Sequence, residues 1–155
     1  MKSPELGTDP ADYLSQATQE KDTKLTKIFE IPIRRNPEKP GRELTVVWDE
    51  RLPLIEGFEN KYSYVVNFSE KGNHAGNHYH HHKEELFTPI VGKFTIILED
   101  IETKEREEVK LERGQFIYIP PKTAHTVVSE TEIASLYVSA TYPNNEQDEF
   151  EYSLQ

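Results

Sequence analysis

Residues 72–92 read GNHAGNHYHHHKEELFTPIVG, and residues 114–128 read GQFIYIPPKTAHTVV. Five of the six histidines fall within nine residues of the first stretch, and the sixth, His125, stands in the second. On a strand successive side chains point to opposite faces, so His78 and His80 point the same way, roughly 7 Å apart along the backbone. Two imidazoles at that separation can lean onto one ion. Lys83 and Glu84 make a polar, tight connection, and Glu85 opens the next strand, so the hairpin folds its carboxylate back toward the pair. With His125 about forty residues further on, the spacing is that of a site with three histidines and one carboxylate. Such a donor set suits one divalent transition metal (zinc, iron, manganese or nickel), with positions left for water or substrate. A histidine-rich run also suits an exposed loop with no ligand role. An expression tag fits poorly, because the run is internal and interrupted by Tyr79.

Composition limits the partners. A chain of 155 residues fits one domain, and 35% hydrophobic residues suffice for one core. A mean hydropathy of −0.75 implies a heavily charged surface. Without cysteine there are neither disulfides nor thiolate ligands, so any metal is held by nitrogen and oxygen. No apolar run approaches the roughly 18 residues of a membrane span, and the first residues lack the apolar region of a signal peptide. The expectation is a soluble cytoplasmic protein. A net charge of −10 disfavours nucleic acid as a partner, while leaving room for a small phosphorylated ligand held by a few arginines.

Residues 1–24 read as a polar arm, with Asp9-Pro10 placed to cap a short helix over 9–19. From Leu25 the period changes to two. Strands are expected at 25–33, 43–49, 62–68, 77–81, 86–91, 93–99, 107–111, 115–119, 125–128 and 132–140, separated by turn clusters at 36–41, 100–104, 112–114 and 120–122. Many short strands with regular turns argue for an all-β barrel or sandwich spanning 25–142. Residues 143–155 form an acidic tail with Phe150 and Tyr152, expected to strap across the barrel or a partner subunit.

The two histidine stretches resemble the motifs of the cupin superfamily. The first motif, G-x5-H-x-H-x3-4-E-x6-G, is matched at every specified position by Gly72, His78, His80, Glu85 and Gly92. The second, G-x5-P-x-G-x2-H-x3-N, is matched at Gly114, Pro120 and His125, with Lys122 where glycine is expected and Ser129 where asparagine is. The resemblance implies a single-domain cupin, an RmlC-like double-stranded β-helix or jelly-roll barrel, with a metal inside its mouth. A weaker resemblance, from about Gly41 to the end, is to the WxcM-like 3,4-ketoisomerases of dTDP-4-keto-6-deoxy-hexoses. It is carried by GRELTVVWDERLP (41–53), IPPKTAH (119–125) and the acidic, aromatic C-terminus. Those enzymes generally work without a metal and lack the glutamate ligand, which Glu85 supplies here. The run GNHYHH (76–81) is closer to the cupin domain of bifunctional capsule-sugar enzymes, which resembles a zinc-binding epimerase.

These resemblances imply isomerisation or epimerisation of a nucleotide-linked keto-sugar in a homodimeric enzyme, with zinc the favoured metal. The ligands would be His78, His80, Glu85 and His125. The reaction needs a base for the proton beside the carbonyl and a group to stabilise the enediolate. His74, His82 and Tyr137 are the candidate bases, with rim solvation or packing the alternative for each. His82 keeps the parity of His78 and His80 if the strand continues. Without metal, His78 and His80 become the acid–base pair. Arg34, Arg35, Arg42 and Arg51 suit either a pyrophosphate or surface ion pairs, and Tyr62, Tyr64 and Phe87 suit base stacking or packing. Two other classes stay open. One is a metal-dependent dioxygenase with Phe87, Phe94, Ile96 and Phe116 lining an apolar pocket. The other is a non-catalytic cupin that binds a small ligand.

Overall fold

The structure is a computed structural model and describes residues 20–30, 33–49 and 55–155. The helix expected at 9–19 and Arg51 lie outside these residues. The described chain forms strands β1 (Glu20–Asp22), β2 (Lys27–Glu30), β3 (Arg34–Arg35), β4 (Glu43–Leu44), β5 (Tyr62–Phe68), β6 (His74–Tyr79), β7 (Glu85–Val91), β8 (Lys93–Asp100), β9 (Arg106–Glu112), β10 (Gln115–Ile119), β11 (Thr123–Ser129), β12 (Ala134–Ala140) and β13 (Phe150–Glu151). A 3-10 turn at Glu146–Asp148 precedes β13. Among the described residues no helix is long and apolar enough to cross a membrane.

The strands assemble into a six-stranded sheet, β1-β2-β10-β7-β12-β5, and a five-stranded sheet, β13-β6-β11-β8-β9, with β3-β4 a separate hairpin. All the pairings are antiparallel. This is an all-β jelly-roll barrel of the cupin type. Alternation explains the packing. In β8, Phe94, Ile96 and Leu98 are fully buried in the interior, and in β12 Leu136 and Val138 meet them from the other sheet. Burial of each such side chain contributes about 1.5–3 kcal/mol. The opposite faces are also covered. Val46, Trp48, Ile55 and Phe58 lie over Phe29, Leu86 and Phe116 outside the six-stranded sheet. Tyr152 and Leu154 lie over Ile97 and Ala124 outside the five-stranded one.

Three expectations change. Residues 20–22, assigned to the arm, are the edge strand β1; exposed on both faces, they carry no alternation to announce them. In 43–49 the regular pairing stops at Leu44, because Val46 and Trp48 alternate to cover a sheet face without joining a sheet. The strand expected at 77–81 starts at His74 and ends at Tyr79.

A bulge inside β6 sets the site. His78 pairs with His125, yet Thr126 pairs with Gly76, leaving Asn77 as one extra residue. Gly76 and Asn77 both take positive φ, 112° and 61°. The extra residue shifts parity, so Ala75 packs in the barrel core while His78 also faces inward. A Cβ on Gly76 would stand 2.6 Å from the His125 carbonyl oxygen. Lys122, standing where the second motif has glycine, keeps a positive φ of 59°. Its N–H donates to the His80 carbonyl at 2.7 Å.

Gly76→Ala is therefore expected to lose more stability than the roughly 1–3 kcal/mol of backbone strain alone. Gly57→Ala, at φ +79° with nothing within 4 Å of the added carbon, should lose only the strain. Urea midpoints of the two variants compare them, and equal losses would remove the steric role assigned to Gly76.

Candidate metal centre

His78 on β6, His80 just after it, Glu85 at the start of β7 and His125 on β11 converge at one end of the barrel interior. One ligand atom from each lies within 4.8 Å of all the others. The carboxylate crosses from the six-stranded sheet to meet histidines of the five-stranded one. Glu85 Oε1 lies 3.4 Å from His80 Nε2 and 3.3 Å from His125 Nε2. The His78 ring stands edge-on to His125 at 4.8 Å between centroids and 4.9 Å from His80. Glu85 and His125 are each 2% exposed and His80 4%; His78 is half-buried, toward the mouth.

The other ring nitrogens are turned outward to oxygen acceptors. His80 Nδ1 is 2.7 Å from the Asp148 carbonyl oxygen, and His125 Nδ1 is 3.0 Å from that of Thr123. Both contacts call for an N–H at Nδ1, so in the neutral ring the lone pair lies on Nε2, facing the cluster. His78 Nδ1 lies 3.5 Å from Glu149 Oε1. Glu85 is held from behind by Tyr64, whose hydroxyl donates to Oε2 at 3.0 Å.

Electrostatics follow from this packing. Burial alone would raise the Glu85 carboxyl, but His125 and His80 outweigh it and hold it well below the usual carboxylate range. Burial, then the neighbouring His125 and His80, push His78 down to about 3, so its ring is neutral near pH 7. For His80, burial pulls down while Glu85 and the Asp148 carbonyl pull up, with a net rise. Tyr64 is pushed up by burial and by the Glu85 charge, so it stays protonated and donating. His80 Nε2 and Glu85 Oε1 remain buried without a hydrogen-bond partner. A buried lone pair and a buried anionic oxygen facing one point are costly unless something cationic sits between them. The residues present therefore fit a divalent metal held by three nitrogens and one oxygen.

The candidate bases stand elsewhere. His74 pairs with Val128, a residue of the outer cluster, and is exposed on the outside of the sheet. His82 is exposed in the turn after β6. The strand has ended, so the parity that would aim it inward is lost. Tyr137 lies between the inward-facing Leu136 and Val138, opposite Val65 and Thr88, so the sheet separates it from the cluster. Phe116 stacks on Phe29 at 4.8 Å outside the barrel, and it does not line the interior with Phe87, Phe94 and Ile96. Arg35 pairs with Glu43 at 3.0 Å on the β3-β4 hairpin.

The residues that sequence reasoning missed are partners of the cluster. Tyr64 fell among packing aromatics, although its place in the alternation of 62–68 aims it inward. Asp148 takes the N–H groups of His81, His82 and Lys83 on its carboxylate at 2.8, 3.2 and 3.0 Å. Burial works against its charge, yet these bonds hold it below the usual range. An acidic tail was the only signal for it.

A jelly-roll barrel with a buried histidine–carboxylate cluster at its mouth is a cupin. The chain belongs to the WxcM-like, C-terminal family, which it matches over residues 21–153. No curated protein sequence matches it. Among solved structures it is similar to a dTDP-6-deoxy-D-glucose-3,5-epimerase from Legionella pneumophila in complex with dTDP-4-keto-L-rhamnose. The TM-score is 0.71 and the identity 19%, covering 86% of this chain and 76% of that one. A sugar 3,4-ketoisomerase from Thermoanaerobacterium thermosaccharolyticum in complex with TDP gives 0.69 at 19%, covering 83% and 89%. The TDP-quinovose 3,4-ketoisomerase of Campylobacter jejuni gives 0.68 at 21%, covering 83% and 94%. At these identities the likeness is one of fold.

In metal-free protein the His78 ring resonances should stay at their neutral positions as pH falls from 8 to 5, read by NMR with His78→Gln for assignment. An unfolded histidine titrates near 6.5, so below that pH the unfolded chain takes up a proton that His78 refuses. Its contribution to stability is full above about 6.5 and shrinks as pH drops toward 3. Tyr64→Phe removes the donor to Glu85 Oε2 and should lower stability by about 1–3 kcal/mol, measured by thermal unfolding. A midpoint equal to wild type would remove that bond from the account.

Proposed function

We propose that this chain isomerises or epimerises a nucleotide-linked keto-sugar, with one divalent transition metal, zinc foremost, held by His78, His80, Glu85 and His125. The observation that carries the metal is the orphaned pair of buried atoms, His80 Nε2 and Glu85 Oε1. Membership of the WxcM-like family supports the substrate class. So do the bound keto-sugar and TDP of the structurally similar epimerase and ketoisomerase.

Moving a carbonyl to its neighbour, or inverting the carbon beside it, removes one proton from that carbon and returns one to the enediolate, with no net oxidation. A metal bound there supplies a Lewis acid for the carbonyl oxygen. The chain supplies the rest. The partners on Nδ1 aim the Nε2 atoms of His80 and His125 at the cluster, where both would hold the metal, which withdraws those rings from proton transfer. Tyr64 fixes Glu85 so that Oε1 meets the histidines. The proton falls to Glu149, a half-exposed carboxylate at the rim, beside His78 and outside the four-residue cluster. Phe87, whose ring meets His125 at 5.6 Å, closes the inner side against water.

Protein purified without a nickel column should carry near-stoichiometric zinc by elemental mass spectrometry, lost in His80→Ala and in Glu85→Ala. With TDP-4-keto-6-deoxyglucose, the ligand of one ketoisomerase structure, NMR in deuterium oxide should show deuterium entering beside the carbonyl. Glu149→Gln, assayed in excess zinc so that the site stays loaded, should slow that exchange roughly 10²–10⁴-fold. Iron with oxygen consumption would point instead to the dioxygenase. Turnover without metal would return His78 and His80 to the acid–base role.

A further inference from the structure

Most polar tethers of the C-terminal segment converge on one short stretch of chain, while Tyr152 and Leu154 also meet Glu99, Lys104 and Arg106. Lys83 Nζ donates to Asn144 Oδ1 at 3.2 Å. The N–H groups of His81, His82 and Lys83 donate to the Asp148 carboxylate. His80 Nδ1 donates to the Asp148 carbonyl, and Glu149 approaches His78 Nδ1. Beyond them, the N–H groups of Tyr152 and Leu154 donate to the main-chain and side-chain oxygens of Asn77 at 2.8 and 3.0 Å. Apart from those to Glu99, Lys104 and Arg106, all of these contacts fall on residues 77–83, which hold two of the three cluster histidines and most of the spacer to Glu85.

The three histidines differ in where their outer partners come from. His125 is served by Thr123, two residues away on its own strand. His80 and His78 are served from 68 and 71 positions away in sequence, by a strap that also packs its side chains: Phe150 stacks on Tyr79 at 5.2 Å, and Leu154 sits against Ile97 and Ala124. Asp148 is the hinge of this arrangement. Its carboxylate turns the 81–83 backbone that spaces His80 from Glu85, while its carbonyl holds the His80 ring in one tautomer and one orientation. Its carboxylate bonds are what keep that carbonyl in place.

We propose that Asp148 is a positioning residue through which docking of the C-terminal strap and metal binding are one coupled equilibrium. This rests on the metal reading above. With the strap docked, His80 and His78 are oriented for the ion. With it undocked, both rings lose their outer partners and the spacer turn loses its anchor. Coupling between two binding events is reciprocal. Whatever factor the docked strap adds to metal affinity, the metal adds to docking of the strap. Loss of an outer partner of a metal-bound histidine typically lowers affinity about 10–100-fold.

The test uses the full chain. Zinc affinity is measured by competition with a chromophoric chelator for wild type, Asp148→Asn and Asp148→Ala, and tail cleavage by a dilute protease is followed with and without zinc. Expected are a 10–100-fold weaker zinc affinity in Asp148→Ala with unchanged barrel circular dichroism, a smaller loss in Asp148→Asn, and slower tail cleavage of the wild type when zinc is bound. The visible spectrum of the cobalt(II)-loaded protein should also shift in Asp148→Ala, which a residue that merely stabilises the fold would leave alone. Wild-type affinity in Asp148→Ala, or tail cleavage indifferent to zinc, overturns the coupling and leaves the metal reading standing. A wild-type chain that binds no zinc overturns both.

Discussion

Glu85 places an ionised carboxylate inside the barrel where water barely reaches it, and an ion taken out of water carries a penalty of several kcal/mol unless it is compensated. Much of the surrounding structure is the compensation. A protonated tyrosine binds one carboxylate oxygen, and the other faces two imidazoles without a hydrogen bond, at the point a cation would fill. Each buried histidine is in turn held by a backbone carbonyl on its far nitrogen. The apolar wall of Phe87, Ile96 and Leu98 behind the cluster keeps water from screening it. The folding core and the site are thus one continuous interior, apolar at one end and charged at the other.

The pairing register delivers these groups. Period-two alternation alone would put Ala75 and His78 on opposite faces of β6, yet the interior needs both. One extra residue at Gly76–Asn77 reconciles them, and the second positive-φ turn, at Lys122, brings a main-chain donor to His80. The cupin glycine at that point is replaced while its backbone shape persists, so the degenerate second motif departs in residue type more than in conformation.

Most of the barrel was legible in the chain. Alternation located β5, β7, β8, β9, β10 and β12 to within a residue or two, and the H-x-H spacing with Glu85 and His125 anticipated the four side chains that converge. What escaped was of two kinds. Parity arguments failed wherever they needed to know which face was inside or where a strand stopped. Tyr137 shares a strand with core residues but faces the other way, and His82 follows a strand that Asp148 has already turned. Long-range polar contacts left no local trace. Asp148 and Glu149 lie about seventy residues from the histidines they hold, in a tail whose composition reads as solvated. Segment 45–48 shows a third limit, since alternation reports burial on one side and does not distinguish a sheet strand from a covering loop.

The strap also finishes the margin of the five-stranded sheet, where Phe150 and Glu151 pair with Tyr79 and His78. Open sheet margins invite other chains to add a strand, and proteins blunt them by keeping them short or bulged. The paired stretch is only two residues long and lies beside the Gly76–Asn77 bulge, a poor template for a neighbouring chain. A margin this short is completed by the chain's own last residues, which leaves no long strand edge at that place for a neighbour to extend.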